Sequence, residues 1–329
     1  MQVNQVSNSI VEKIKEESNR FYGLHAEVGK VIVGQENIIT SILIAILSGG
    51  HVLLEGAPGV AKTTMIKTLT QALGLQFNRI QFTPDLLPSD VVGTLIYNPK
   101  NQDFEIKFGP IFSNLILADE INRAPAKVQA ALLEAMEEHQ VTIGSKTYKL
   151  EKPFIVFATQ NPIEQEGTYK LPEAQVDRFM LKLLVDYPTF DQEKEILHKK
   201  NNPLEVFSVL TKEEIFKAQA LVDDVYIDPK VVDYVVNIIF ATRSPEKYNG
   251  HDIKKFIQHG ASPRATRALY KASKAHAFLQ KRHFVTPDDV KKVVYSVLRH
   301  RILLSYEAEA ENVSTDNIIS KILQLVSSP

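Results

Sequence analysis

The sequence predicts an α/β protein with a mostly parallel sheet, followed by a smaller helical domain. Short apolar runs typical of strands alternate with helical stretches up to about residue 185. A glycine-containing loop follows the first of these runs and leads directly into a helix. Beyond residue 188 the signals are helical, with N-cap residues placed before proline, as in Asp228-Pro229 and Ser262-Pro263. We therefore expect a core domain over residues 1–188 and an all-helical domain over residues 189–329.

The elements of the core are predicted in chain order from apolar runs and helix-ending signals. A charged helix is expected over residues 11–22, and an apolar helix over residues 36–47 is ended by Gly49-Gly50. The first strand follows at residues 51–55. Further strands are expected at residues 79–82, 115–118, 154–158 and 179–185, with helices at residues 64–73 and 126–138 between them. Continuous apolar runs such as 115–118 are typical of strands that are buried on both faces.

Two β-hairpins are expected as insertions in this core. Residues 91–97 and 104–108 flank the turn sequence Asn98-Pro99-Lys100-Asn101. Residues 141–150 alternate around Gly144-Ser145-Lys146 and predict a second hairpin.

Composition excludes several classes of protein. The chain has 329 residues, a formal net charge of −1 and a pI of about 6.8, so its overall charge does not indicate nucleic-acid binding. Cysteine is absent, which excludes disulfides and thiolate metal sites. The nine histidines show no spacing typical of metal ligands. The polar first residues do not form a signal peptide, and the longest apolar run, residues 42–47, cannot cross a bilayer. We expect a cytoplasmic protein without membrane insertion.

The loop after the first strand has the pattern of a phosphate-binding loop. Backbone N–H groups of such a loop surround phosphates, and the following helix contributes its positive end. Lys62 can reach the β- and γ-phosphate oxygens, and the Thr63 hydroxyl can bind Mg²⁺. Ala61 stands where the pattern expects a final glycine. The Cβ of alanine is tolerated there if φ is negative, so we expect a negative φ at Ala61. The predicted nucleotide-binding residues of the loop are Gly56, Pro58, Gly59, Val60, Ala61, Lys62, Thr63 and Thr64.

Two carboxylates end the predicted strand at residues 115–118. Asp119 is placed to hold Mg²⁺ directly or through water, and Glu120 is a candidate general base that would polarise the attacking water. By itself such a pair is equally compatible with a solvated strand end. The phosphate loop upstream favours the catalytic interpretation.

Three further polar residues have a functional and a structural interpretation. Asn161 could contact the γ-phosphate and orient water, although Asn-Pro also starts turns. Arg178 is a candidate arginine finger for the nucleotide of a neighbouring subunit, or it forms a surface ion pair with Asp177. Arg264 would meet the phosphates if the second domain folds back over the nucleotide. A cation at the start of a helix is unfavourable unless an anion is nearby, which favours the functional interpretation.

These motifs together resemble the AAA+ ATPases, and within them the MoxR family. GAPGVAKTT at residues 56–64 resembles the Walker A motif, and LILADEINRAP at residues 115–125 resembles Walker B with its continuation. ATQNPIEQEGTYKLPEAQVDRF at residues 158–179 resembles the sensor-1 segment that leads to the finger arginine. RIQFTPDLLPSDVVGT and GASPRAT are also typical of MoxR proteins, so the resemblance extends over nearly the whole chain.

The resemblance implies a fold, a cofactor and an assembly. It implies a five-stranded sheet flanked by helices, two hairpin insertions and a helical lid. It gives Lys62, Thr63, Asp119, Glu120, Asn161, Arg178 and Arg264 the roles described above, and it places Val33, Gly34 and Gln35 near the adenine of ATP. It also implies an Mg-ATP-driven homo-oligomeric ring, a hexamer, with chaperone-like action on a protein client. A partner with a von Willebrand A domain would be a separate chain, because no D-x-S-x-S motif is present.

Two other functions remain open from the sequence. One is a nucleic-acid motor, against which the near-neutral charge counts, although Lys146 and Lys149 lie in the second hairpin. The other is a nucleotide-gated binding module with little turnover, for which Ala61 is the one supporting feature.

Overall fold

The structure is a computed structural model that describes residues 2–161, 167–199 and 205–329. Of residues 2–9 it describes the backbone. Residues 162–166, which belong to the sequence segment that resembles sensor 1, lie outside the described residues.

The described residues contain eleven strands and fourteen α-helices. The strands are β1 Val52–Gly56, β2 Phe77–Gln81, β3 Gly93–Asn98, β4 Asp103–Phe108, β5 Leu115–Asp119, β6 Gln140–Ile143, β7 Lys146–Lys149, β8 Ile155–Gln160, β9 Leu181–Val185, β10 Ile257–His259 and β11 Leu303–Leu304. The helices are α1 Gln2–Val31, α2 Glu36–Leu47, α3 Lys62–Ala72, α4 Pro88–Val92, α5 Ala126–Glu138, α6 Glu173–Val176, α7 Phe190–His198, α8 Lys212–Asp224, α9 Pro229–Arg243, α10 His251–Lys254, α11 Pro263–Leu279, α12 Pro287–Leu298, α13 Tyr306–Ala310 and α14 Thr315–Leu325.

One five-stranded sheet forms the centre of the core, with the strand order β2-β5-β8-β1-β9. All of its neighbouring pairs are parallel, which confirms the predicted α/β fold with its five-stranded sheet. In β1, Val52 is in register with Phe157 of β8 on one side and with Leu181 of β9 on the other. Strands β5 and β8 are almost entirely buried because helices cover both faces of the sheet.

Both predicted hairpins are present as antiparallel pairs, β3–β4 and β6–β7. They contact each other, because Phe108 stacks edge-on against Tyr148 with ring centroids 5.4 Å apart. At the far end of the first hairpin, Tyr97 and Phe104 stack at 5.5 Å and remain exposed.

The second part of the chain is helical, as predicted, apart from one short antiparallel ladder between β10 and β11. The sequence analysis does not predict this ladder, because two- and three-residue strands carry no alternating pattern.

Helix α1 extends to Val31, well beyond the predicted end at residue 22. Its buried side chains, which include Ile14, Phe21 and Leu24, pack with α3 of the core and with α8 and α11 of the helical part. Gly23 does not end the helix, because tertiary packing outweighs the intrinsic cost of about 1 kcal/mol for a glycine in a helix. The core and the helical part therefore share one hydrophobic cluster.

His51 is a buried histidine at the start of β1. Its Nδ1 accepts a hydrogen bond from the Val156 N–H at 3.0 Å, and its Nε2 lies 3.1 Å from the Met136 carbonyl oxygen. This arrangement requires a neutral ring with the proton on Nε2. Burial lowers the pKa of His51 to about 4, with a smaller lowering by the nearby His139, while the bond to Met136 opposes the change.

We predict that acidification destabilises the protein through His51. Because the folded pKa of about 4 lies below the ordinary value of 6.5, the unfolded state binds the proton more readily between these pH values. The free energy of unfolding should therefore fall as the pH falls from about 6.5 towards 4, by roughly 3 kcal/mol from this residue. Urea denaturation at several pH values measures the slope.

The variant His51→Gln keeps an acceptor and a donor but does not titrate, so its slope should be shallower. His198→Gln is the matched control, because His198 is exposed on α7. An unchanged slope in His51→Gln would contradict the assignment.

Candidate nucleotide site

The phosphate loop, the carboxylates and Asn161 meet around one cavity of about 430 Å³ at the carboxyl end of the sheet. Its lining consists of Pro58, Gly59, Val60, Ala61, Lys62, Thr63, Thr64, Asp119, Glu120, Thr159, Gln160 and Asn161. These residues come from the ends of β1, β5 and β8, which point to the same edge because the strands are parallel. Residues that the sequence predicts separately are therefore brought together in space.

Gly56 does not line the cavity but lets β1 and β9 approach each other. A Cβ at this position would lie 2.3 Å from the Val185 carbonyl oxygen. The loop leaves the sheet from this glycine. Gly59 then adopts a left-handed conformation, with φ of 86°.

The expectation of a negative φ at Ala61 is wrong. Ala61 has φ of 57° and ψ of 24°, in the left-handed region that favours glycine, immediately before α3. The turn from loop to helix determines this conformation, and the Cβ of alanine carries a steric cost there of about 1–2 kcal/mol. Ala61 is thus a strained residue inside the predicted phosphate-binding loop.

Lys62 points back into the loop. Its Nζ donates a hydrogen bond to the Gly56 carbonyl oxygen at 2.6 Å. Burial lowers the pKa of Lys62, while Asp119, Glu120 and Glu55 oppose the change. The ammonium group therefore lies in a partly desolvated site next to carboxylates, where its attraction to an anion is stronger than in water.

Thr159, which no sequence motif identifies, links the Asp119 carboxylate to the backbone of Glu120. Its hydroxyl donates to Asp119 Oδ1 at 2.6 Å and accepts from the Glu120 N–H at 2.8 Å. Thr159 is almost completely buried on β8, the neighbour of β5. Glu120 itself has φ of 56°, a left-handed conformation that costs energy in a non-glycine residue and is often found at functional sites.

Strand β2 contributes two more residues that the sequence analysis does not identify. Arg79 donates to Asp119 Oδ2 from Nη2 at 2.6 Å and from Nε at 3.0 Å. Gln81 donates to Glu120 Oε2 at 2.9 Å, and Arg123 Nη1 lies 3.2 Å from the same oxygen. Pairing of β2 with β5 places Gln81 opposite Asp119, a relation that only the strand order reveals.

The site offers suitable ligands for Mg²⁺. Among the described residues no cluster of three or more His, Cys, Asp or Glu could hold a metal on its own. Mg²⁺ in nucleotide sites needs only one or two protein oxygens, because phosphate and water supply the rest. The Thr63 hydroxyl and the Asp119 carboxylate line the same cavity. Asp119 Oδ2 already accepts two hydrogen bonds from Arg79, whereas Oδ1 accepts one from Thr159 and retains further acceptor capacity.

Val33, Gly34 and Gln35 lie at the same edge of the sheet but do not line the cavity. Gln35 Nε2 donates to the Asp186 carbonyl oxygen at 3.1 Å, directly after β9. Gly34 has φ of 68° and packs against Gln192, whose amide a Cβ would meet at 2.2 Å. Their role near adenine stays a prediction.

Arg178 and Arg264 lie together at the opposite edge of the sheet. Both approach Glu137, at 3.2 Å from Arg178 Nε and 2.7 Å from Arg264 Nη2. They line a separate cavity together with Gly50 and His51, which precede β1. The expectation that Arg264 folds over the phosphate loop of its own chain is therefore not met, because α11 begins at the amino ends of the strands.

We predict that Ala61→Gly stabilises the protein. Glycine adopts φ of 57° without a steric cost, so the free energy of unfolding should rise by about 1 kcal/mol. Ala57→Gly is the control, since Ala57 is not in a left-handed conformation and gains nothing. Thermal unfolding of both variants measures the difference, and a lower stability of Ala61→Gly would contradict the inferred strain.

Comparison with known proteins agrees with this geometry. The family described as "ATPase family associated with various cellular activities (AAA)" matches residues 51–181, and the AAA lid domain matches residues 251–322. Chaperone MoxR1 of Mycobacterium tuberculosis is 46% identical over 92% of this chain and 81% of its own length. Protein MoxR of Methylorubrum extorquens is 30% identical over 92% and 93%.

A solved structure is similar over the whole chain. The crystal structure of a candidate ATPase from Cytophaga hutchinsonii superposes with a TM-score of 0.92, at 48% identity, and the match covers 100% of this chain and 99% of that one. The matches extend over both the core and the helical part of the chain. The chain therefore belongs to the MoxR family of AAA+ ATPases.

Proposed function

We propose that this chain hydrolyses ATP with Mg²⁺ in a ring of identical subunits and uses the turnover to remodel or activate a protein client. The observation that carries the proposal is the separation of the site into two faces. The phosphate loop, Asp119, Glu120 and Asn161 line one cavity, whereas Arg178 and Arg264 lie at the opposite edge of the sheet. A hexamer follows from the family and stays a proposal.

The residues of the cavity divide the work of hydrolysis. The loop N–H groups and Lys62 hold the phosphates, and Thr63 with Asp119 would hold Mg²⁺, which offsets the charge of the phosphates when bound. Glu120 takes a proton from the attacking water, and Gln81 and Arg123 fix the orientation of its carboxylate. Asn161, at the end of β8, orients the water and contacts the γ-phosphate.

The arginines act on the nucleotide of a neighbouring subunit. Strand β1 has five residues, which separates the two edges of the sheet by about 16 Å at roughly 3.3 Å per residue. Arg178 therefore does not reach the loop of its own chain. We call the face that carries Arg178 and Arg264 the arginine face, and the face that carries the phosphate loop, Asp119 and Glu120 the loop face. In a ring the contacts are head-to-tail, so the arginine face of one subunit meets the loop face of the next.

A protein client is the substrate on which the proposed ring acts. A relative that is 46% identical carries the name chaperone. The first hairpin presents Tyr97 and Phe104 to solvent, and exposed aromatic side chains are suited to contact apolar segments of another protein.

No helix in the described part of the chain is long and apolar enough to cross a membrane. A cytoplasmic location and a separate von Willebrand A domain partner stay predictions.

Mixed assemblies test the shared site. Arg178→Ala and Glu120→Gln should each lose nearly all ATPase activity, since an arginine finger contributes a factor of ~10³–10⁵. A mixture of equal amounts should recover roughly a quarter of the wild-type rate, because random assembly pairs an intact Glu120 with an intact neighbouring Arg178 at about one contact in four.

ATP binding by Glu120→Gln, measured with a fluorescent analogue, is the control that the loop remains intact. No recovery in the mixture would contradict action between subunits. No turnover by the wild type at any concentration would favour the nucleotide-gated binding module, and a strong, salt-dependent stimulation by DNA would favour the nucleic-acid motor.

The bridge through Thr159 gives a second test. Thr159→Val keeps the shape of the side chain but removes the hydroxyl between Asp119 and the Glu120 N–H. We expect kcat/KM for Mg-ATP to fall about tenfold, because two catalytic groups lose a common partner. Thr147→Val on the exposed strand β7 is the control. Equal activity of the two variants would exclude this role of Thr159.

A further inference from the structure

Glu137 is the meeting point of three segments that are distant in the sequence. It lies in the last turn of α5, an exposed position that the proposed function does not use. Arg264 Nη2, from the start of α11, donates to both of its oxygens at 2.7 and 2.8 Å. Arg178 Nε, from the segment before β9, lies 3.2 Å from Oε2. One carboxylate thus contacts both arginines that are proposed to reach the neighbouring nucleotide.

Buried polar contacts hold the backbone beneath Arg178 and Arg264. Arg301, whose side chain is 2% exposed, forms an ion pair with Asp177 Oδ1 at 2.7 Å and donates to the Met180 and Phe179 carbonyl oxygens. Asp177 Oδ2 accepts from the Ser262 hydroxyl at 2.8 Å. The backbone that carries Arg178 and Arg264 is therefore held in place without Glu137. What remains for Glu137 to determine is the orientation of two guanidinium groups, the exposed one of Arg264 and the half-buried one of Arg178.

The charges around Glu137 would otherwise drive these groups apart. The cavity of about 280 Å³ at this edge is also lined by Arg267 and Lys271, one and two turns further along α11. Asp177, the other carboxylate of the lining, is 4.0 Å from Arg264 Nη1 and already pairs with Arg301. Like charges at this spacing repel, and a carboxylate between them lowers the free energy of the clustered arrangement.

We propose that Glu137 is a positioning residue that holds Arg178 and Arg264 side by side for the triphosphate of the neighbouring subunit. This inference rests on the proposed function. Arg178 approaches Glu137 through its buried Nε, which makes no hydrogen bond there, and no hydrogen bond of its two terminal nitrogens is seen among the described residues, so they can turn towards phosphate oxygens. Groups that are oriented before the reaction stabilise the transition state without reorganisation, so a loss of orientation lowers kcat more than it raises KM.

The variant Glu137→Gln tests the inference because it keeps the size of the side chain and removes its charge. We expect kcat to fall about tenfold, with KM for Mg-ATP changed by less than about twofold. Glu138→Gln is the matched control, since Glu138 is the next residue and is equally exposed on the same helix. Combined with Arg264→Ala, Glu137→Gln should lower kcat by less than tenfold, because part of its effect acts through Arg264.

Mixed assemblies provide a measurement whose result would not change in the expected way if Glu137 only stabilised the fold. Addition of an equal amount of inactive Glu120→Gln subunits should raise the rate, counted per total subunit in the mixture, about threefold above that of Glu137→Gln alone, because about half of the competent loops then meet an intact arginine face. If Glu137 served the site of its own chain, the same addition would dilute the active subunits and lower the rate. That fall would overturn the proposal, as would a kcat of Glu137→Gln equal to or above that of Glu138→Gln.

Two controls separate the possible failures. If Glu137→Gln unfolds at a lower temperature than Glu138→Gln, Glu137→Asp, which keeps the charge but not the reach, undergoes the same mixing measurement and should show the same rise. If mixtures of Arg178→Ala with Glu120→Gln fail to recover activity, the shared site itself is wrong. If those mixtures recover while Glu137→Gln behaves like its control, only the role of Glu137 is wrong.

Discussion

The parallel pairing of β1 with β8 and β9 is the constraint on which the rest of the structure depends. Because β1 lies between two parallel neighbours, its carboxyl end delivers the loop to the place where β8 brings Asn161. The pairing continues to the last residue of the strand, where Gly56 is in register with Val185. A side chain at Gly56 would collide with the Val185 carbonyl oxygen and move the start of the loop.

The same pairing separates the chemistry of the protein into two faces. Everything that follows a strand lies at one edge, and everything that precedes a strand lies at the other. Asp119 ends β5 and Glu120 follows it, whereas Arg178 precedes β9 and Gly50 precedes β1. In the proposed ring these faces would meet and each site would be completed by two subunits, so hydrolysis would depend on assembly. Helix α1 and the shared hydrophobic cluster join the helical part to the core.

Two strained residues and several polar bridges lie at the loop face. Ala61 and Glu120 are both in left-handed conformations, next to the phosphate loop and at the end of β5. Their cost is offset by fixed contacts, such as the Thr159 hydroxyl on the Glu120 N–H and the Arg79 guanidinium on Asp119. Residues in such conformations persist only where the surroundings determine them, and this is the arrangement expected for groups oriented before they react.

The sequence by itself determined the parallel α/β core, both hairpins, the helical lid and the composition of the loop face, because these follow from local patterns. Buried strands require apolar runs, hairpins require turn residues between alternating segments, and a phosphate loop requires its glycines and Lys62. Tertiary structure alone decided which side chains meet across strands and faces. Arg79 and Thr159 reach Asp119 through strand order, Arg264 joins Arg178 through the position of α11, and the φ of Ala61 follows from the turn into α3. The contacts of Arg79, Thr159 and Arg264 are not encoded locally, because each depends on the packing of segments distant in the chain, whereas the φ of Ala61 depends on a turn geometry that the motif alone does not specify.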